Sequence, residues 1–278
     1  MLNQPNGDII IMSKAKKQDK QDKVAVAKIP VAKALTHEVP AFMKIKIKTG
    51  IEWFDCVLGG KGLTPSQLTY FCGTPGCGKS TMMAILASNW NGNGGQAVYV
   101  SGEEGLDQIC LNVQQRKLIR HDYDIWASES ADGNLISIHD IIAAADVKRK
   151  EQPKKPFLLI VDSLQMMWDG QHKDGGGGTR KDRRVLEAIR RWCKEEKTNA
   201  IIIGQVNKDG KMAGSNFIKH MVDTMVHMEV EKKDPDMYGC RILRATKNRF
   251  GGCGHTLFLN LSARGFTEVA RVSDSDIV

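Results

Sequence analysis

Gly73-Thr-Pro-Gly-Cys-Gly-Lys79-Ser80 packs three glycines, a lysine and a hydroxyl into eight residues. This G-x-x-x-x-G-K-S spacing suits the gripping of a chain of phosphates. Glycines let the backbone bend sharply and approach the anion closely. Lys79 brings a cation to the β and γ phosphates, and Ser80 offers a hydroxyl to Mg²⁺. The contact set expected for the triphosphate is Gly73, Thr74, Pro75, Gly76, Cys77, Gly78, Lys79, Ser80, Thr81 and Asp162. Cys77 reads as a passive loop residue; the other reading is a thiol activated by the helix N-terminus.

Hydrolysis of a bound triphosphate needs a metal, an activated water and charge neutralisation at the γ-phosphate. Phe157-Leu-Leu-Ile-Val-Asp162 is an apolar run ending in an acid. Asp162 is expected beside Ser80, holding a water of the Mg²⁺ shell; a helix-capping role before Ser163 is the alternative. Ala97-Val-Tyr-Val-Ser-Gly-Glu103-Glu104 ends in two acids. A carboxylate at such a tip can deprotonate the attacking water. Glu103 is the first choice for that base and Glu104 the second. Gln205, which ends a further apolar run, can hydrogen-bond the γ-phosphate.

These side chains need strand tips to hold them. Apolar runs at 67–72, 97–101, 157–162 and 200–204 are short and separated by helix-like stretches. This pattern predicts an α/β fold with a central, mostly parallel sheet flanked by helices. Runs at 224–229, 240–246 and 256–261 are closely spaced and read as antiparallel or mixed additions. Thr81 to Ser88 continues the phosphate loop as a helix. At 182–197, Val185, Leu186, Ile189, Trp192 and Cys193 share one helical face, which marks a core helix. The stretch 163–181, with its four glycines at 175–178, reads as a mobile loop at the carboxyl edge of the sheet, where ligands bind in such folds.

The chain of 278 residues carries a formal net charge of +8. Residues 1–48 hold ten lysines against Asp8, Asp19, Asp22 and Glu38, a balance of +6. Basicity is therefore concentrated in the N-terminal segment. Residues 1–40 read as a basic flexible tail, 41–270 as the globular domain and 271–278 as a C-terminal tail. Seven cysteines without a C-x-x-C pair argue against a zinc module and against a disulfide framework. No apolar stretch approaches the roughly 20 residues of a membrane span. A cytoplasmic protein is expected.

The order of motifs carries a resemblance. Thr49-Gly-Ile-Glu-Trp-Phe-Asp-Cys-Val-Leu-Gly-Gly60 precedes the phosphate loop, and Tyr99-Val-Ser-Gly-Glu-Glu104 and Val161-Asp-Ser-Leu-Gln165 follow it. Then come Gly204-Gln-Val-Asn-Lys-Asp-Gly210, His220-Met-Val-Asp-Thr224 and Lys247-Asn-Arg-Phe-Gly251. The chain resembles the ATPase core of the RadA (Sms) family of bacterial DNA-repair proteins, within the RecA superfamily. The pentapeptide at 247–251 is the most specific element. The resemblance implies a RecA-type fold, ATP and Mg²⁺ as cofactors, and single-stranded or branched DNA as partner. It also implies assembly into a ring (hexamer) or filament, and a motor role in recombination.

Residue by residue, the resemblance makes Lys79, Glu103, Lys247 and Arg249 catalytic and gives Ser80 and Asp162 to the metal; Gln205 joins the catalytic set by its place at a strand tip. Lys247 and Arg249 would reach a neighbouring subunit's ATP site; solvated strand-end charges are the other reading. The family's four-cysteine zinc module and Lon-protease-like domain have no counterpart in this sequence. The family's usual His-Val-Thr-Lys is here Gln205-Val-Asn-Lys208. Two glycine-rich loops, by position 166–181 and 206–217, would face DNA through Lys173, Arg180, Lys181, Lys208 and Lys211. Few aromatics lie near them, so contact with the phosphate backbone is expected over base stacking. A KaiC-like ATP-gated oligomeric switch and a helicase accessory protein are the alternative functions.

Overall fold

The computed structural model describes residues 9–11, 27–29, 32–116, 119–171, 178–205 and 217–273. The chain divides into two units, Met1–Lys44 and Ile45–Val278. In the first, strands β1 (Ile9–Ile11) and β2 (Ala27–Ile29) pair antiparallel, with Ile9 opposite Ile29. A regular pair thus stands inside the segment read from sequence as a tail. A short 3₁₀ turn, Ala41–Lys44, closes this unit.

The second unit runs through α1 (Glu52–Val57), β3 (Leu68–Gly73), α2 (Lys79–Gly92), β4 (Gln96–Ser101) and α3 (Leu106–Arg116). It continues with β5 (Asp124–Ala127), α4 (Ile138–Glu151), β6 (Phe157–Asp162), α5 (Thr179–Glu196) and β7 (Asn199–Gln205). The last described elements are α6 (Phe217–Met221), β8 (Thr224–Val230), β9 (Arg241–Asn248), β10 (His255–Ser262) and β11 (Gly265–Ser273). Nine strands form one sheet in the order β11-β10-β9-β8-β3-β7-β6-β4-β5. The six from β8 to β5 are parallel, and β9, β10 and β11 extend the sheet antiparallel.

The parallel strands explain their own sequences. Successive side chains leave a strand on opposite faces, so a strand covered on both sides must be apolar at every position. Tyr70, Val98, Val100, Leu159, Val161 and Ile202 face α4 and α5, where they meet Ile141, Val185, Leu186, Ile189 and Trp192. Phe71, Tyr99, Leu158, Ile160, Ile201 and Ile203 face α2, against Met82, Met83 and Leu86. All residues of β3, β4 and β6 are buried. Besides β1 and β2, two strands of this sheet lie outside the runs expected from sequence. β5 has only four half-buried residues, and β11 alternates polar and partly buried positions at the sheet margin, extending past the expected domain end.

The register gathers the functional tips at one edge. Gly73 pairs with Gln205, and Ser101 with Asp162. Strand β7 lies between β3 and β6. It therefore places Gln205 between the phosphate loop and Asp162.

The expected loop at 163–181 is partly helical. Leu164–Met166 forms a 3₁₀ turn, and α5 begins at Thr179 with Gly178 as its N-cap. Arg180 and Lys181 consequently lie in the first turn of α5, not in a loop. The Lys181 ammonium donates to the Gln165 carbonyl at 2.5 Å, while Arg180 is exposed. Lys173, Lys208 and Lys211 lie outside the described residues.

Candidate active site

The phosphate loop joins β3 to α2, as its sequence requires. Gly76 and Gly78 have φ of 75° and 102°, a region that residues with a Cβ rarely enter. At Gly73 a Cβ would stand 2.1 Å from the Met228 carbonyl oxygen. The Lys79 ammonium donates to the carbonyls of Gly73 and Thr74, each at 3.1 Å. Lysine thus lies across the mouth of the loop. The first turn of α2 follows, where a helix directs amide N–H groups outward and favours anions. Burial pushes the Cys77 thiol up from its usual range. Cys77 is fully enclosed, so it packs the loop and the activated-thiol reading does not apply.

Asp162 sits at the tip of β6, only 6% exposed. Its carboxylate accepts a hydrogen bond from the Tyr99 hydroxyl at 2.5 Å, and the Ser80 hydroxyl lies on the same side of the cleft. Burial raises its pKa, and the two hydroxyls pull in the opposite direction. Glu103 accepts from Ser163 Oγ at 2.7 Å and from Gln205 Nε2 at 3.4 Å. The Glu104 backbone bonds with Ser101 Oγ, and its carboxylate accepts from Asn112 Nδ2 of α3 at 3.5 Å. Glu103 lines a cleft with Lys79, Ser80, Asp162 and Gln205, and Glu104 lines the adjoining pocket with Glu103, Ser80 and Asp162.

The oxygen donors of Ser80 and Asp162 suit a hard cation that keeps much of its water, which is the habit of Mg²⁺. Both line the same cleft, which lets them serve one ion. Among the described residues there is no group of three or more His, Cys, Asp or Glu able to hold a metal.

Lys247 and Arg249 lie elsewhere. Lys247 pairs with Met225 across β8 and β9, while Gly73 pairs with Met228. Lys247 is thus three residues, roughly 10 Å, down the sheet from the phosphate-loop level. Its ammonium donates to the carbonyls of Lys219 and Val222 at 2.5 and 2.6 Å, closing the C-terminus of α6. Arg249 bonds Asp223 Oδ1 at 3.2 Å and the His220 carbonyl at 3.3 Å. Asp223 in turn accepts from the Leu68 amide at 3.1 Å. Both cations are held at the sheet edge opposite their own phosphate loop.

Two contributors were not legible as site residues. Arg241 of β9 donates to the Cys77 carbonyl at 3.4 Å, bracing the loop from behind. The β10–β11 turn leans on the loop, so that a Cβ on Gly78 would stand 3.2 Å from Phe266 and 3.3 Å from Leu261. Both contacts span more than 160 residues of sequence, and no local pattern announces them.

The fold and the loop define a P-loop ATPase domain of the RecA type. The family described as "ATPase: KaiC" matches residues 47–257, and the chain belongs to it. Within that family its similarity is to the ATPase core of RadA proteins. The DNA repair protein RadA of Aquifex aeolicus (strain VF5) is 32% identical over 225 residues, 81% of this chain and 46% of the relative. RadA of Mycobacterium tuberculosis (strain ATCC 25618 / H37Rv) is 34% identical over 203 residues, 73% of this chain and 39% of the relative. RadA of Streptococcus pneumoniae (strain ATCC BAA-255 / R6) is 32% identical over 262 residues, 91% of this chain and 58% of the relative. The chain spans about half the length of the curated relatives it matches. A solved structure titled "ATPase Domain of G40P" superimposes with a TM-score of 0.67 at 13% identity, covering 83% of this chain and 93% of that one. That likeness concerns the fold. Among the described residues no helix is long and apolar enough to cross a membrane.

Proposed function

We propose that the chain is a Mg²⁺-dependent ATPase that acts on single-stranded or branched DNA in recombination and repair. The observation that carries this reading is the convergence of Lys79, Ser80, Asp162, Glu103 and Gln205 in one cleft. Lys79 and the first turn of α2 bind the phosphates. Ser80 and Asp162 hold the metal, which supplies charge neutralisation at the β and γ phosphates when bound. Glu103 orients the attacking water and takes its proton. Gln205, bonded to Glu103, meets the γ-phosphate and carries its state to residues 206–217.

The DNA reading draws on the RadA relatives, named as DNA repair proteins, and on Lys173, Arg180, Lys208 and Lys211. Lys181, bonded to the Gln165 carbonyl, is the weakest member of the set. Lys247 and Arg249 complete the site of a neighbouring subunit in a head-to-tail ring or filament. Their location at the far sheet edge supports that role, because a head-to-tail stack brings one edge to the other. A KaiC-like switch with a protein output is the second reading, favoured by the family description. Steady-state ATPase assays with and without single-stranded DNA, across a salt series, separate the two. The motor reading predicts stimulation that fades as salt rises. Turnover indifferent to DNA at every salt would favour the switch.

A further inference from the structure

Tyr99 lies in the interior of β4, 4% exposed, with its ring in the apolar layer beneath α2. Its backbone partner on β6 is Ile160, whereas Asp162 pairs with Ser101. The phenol nevertheless reaches two residues up the neighbouring strand, and its hydroxyl donates to Asp162 Oδ2 at 2.5 Å. A phenylalanine would fill the same apolar space and stop one atom short. The polar end of this otherwise hydrophobic position meets the Asp162 carboxylate, with the Ser80 side chain beside it. Ser80 shares the cleft with Asp162, its hydroxyl near the carboxylate. The carboxylate is thus held by a fixed phenol on the neighbouring strand, beside the serine in the first turn of α2.

We propose that Tyr99 is a positioning residue for the metal site. By holding Asp162 Oδ2 it fixes the carboxylate plane, so that the remaining oxygen lone pairs face the Ser80 side where Mg²⁺ enters. A carboxylate's terminal torsion is broad and does not orient itself. Groups that hydrogen-bond a metal-holding side chain typically contribute about 10- to 100-fold in metal affinity or activity. In this role the tyrosine acts through Asp162. This inference rests on the Mg²⁺-ATP reading of the cleft.

The test is the binding of a fluorescent ATP analogue to the full chain and to Tyr99→Phe, in excess EDTA and across a Mg²⁺ titration. Phenylalanine keeps the ring packing, including the neighbouring Tyr123 ring at 6.4 Å. Metal-free affinity should match in the two proteins. The Mg²⁺ concentration giving half of the metal-dependent gain in affinity should rise about tenfold in Tyr99→Phe. A purely structural tyrosine would lower the unfolding temperature and leave that midpoint unmoved, so coincident midpoints overturn the inference. Failure of the unaltered chain to bind the analogue overturns the ATP reading and this inference together. Should Tyr99→Phe not fold, fluorotyrosine incorporated in the unaltered chain gives the second measurement. Its Tyr99 resonance should move when Mg²⁺ is added to the analogue-bound protein, and a stationary resonance overturns the role.

Discussion

Gln205 donates a hydrogen bond from its side-chain amide to the carboxylate of Glu103, across 3.4 Å and 102 positions of sequence. Strand order makes this contact. Because β7 is inserted between β3 and β6, its last residue stands beside the phosphate loop and within reach of the tip of β4. The residue that would meet the γ-phosphate therefore already touches the residue that would activate the water. Gln205→Ala should lower turnover about tenfold to a hundredfold and leave the dissociation constant of ATP within a factor of three. Stopped-flow nucleotide binding beside steady-state phosphate release measures both. A loss confined to binding would make Gln205 a nucleotide ligand only.

Trans completion of the site predicts complementation. Lys79→Ala and Arg249→Ala subunits should each be inactive, and an equimolar mixture should regain part of the turnover. Mixed interfaces would join an intact phosphate loop to an intact Arg249. Co-assembly is checked by light scattering. A mixture as inactive as its parents, despite co-assembly, would reduce Arg249 to its contacts with Asp223 and the His220 carbonyl. Because Arg249 also has those local partners, the unfolding temperature of Arg249→Ala must be measured alongside.

DNA affinity should carry a salt signature. Removing Lys208 and Lys211 together should reduce the slope of log K against log salt by about 1.4, at about 0.7 per phosphate contact on a single strand. Fluorescence anisotropy with labelled single-stranded DNA at several salt concentrations reads it. An unchanged slope would exclude both lysines from the phosphate backbone.

Asp182 offers a pH test of stability. It is buried in the first turn of α5, and burial raises its carboxyl above the usual range, with Lys181 opposing. A folded-state pKa raised above the unfolded one means that the acid contributes stability fully below the unfolded pKa. That contribution disappears as pH rises through the folded value. Asp182→Asn should therefore be more stable than the parent at neutral pH, and the two should converge as pH falls toward 4. Thermal unfolding across pH 4 to 8 checks this; a constant gap would assign the difference to packing or hydrogen bonding that does not titrate.

Much of this site could be read before the structure, for a physical reason. The phosphate loop, Asp162, Glu103 and Gln205 each end a short run of apolar residues, and a strand buried on both faces leaves no other place for polarity than its tip. Local sequence thus announced the tips and the parallel sheet. It could not announce what depends on neighbours. Tyr99 looks like one more β-forming aromatic until β6 brings Asp162 to its hydroxyl. Arg241 looks like a surface charge until β9 lays it behind Cys77. β5 and β11 carry weak patterns because each has a strand on one side only and is half exposed. Lys181 was read into a loop because four glycines precede it, whereas α5 starts immediately after the last of them.

Hydrolysis of ATP in this cleft with Glu103 as the base is open to direct measurement. Phosphate release by purified chain, Lys79→Ala and Glu103→Gln, each with saturating ATP and Mg²⁺, tests it most directly when paired with nucleotide-binding measurements. Glu103→Gln spares the phosphate cradle and removes only the proton acceptor. It should bind ATP with near-parental affinity and turn over about 100-fold or more slowly, in the range assigned to general bases. Lys79→Ala should lose turnover as well, with weakened binding. Parental turnover in Glu103→Gln would contradict the account and move the base to Glu104 or to another group.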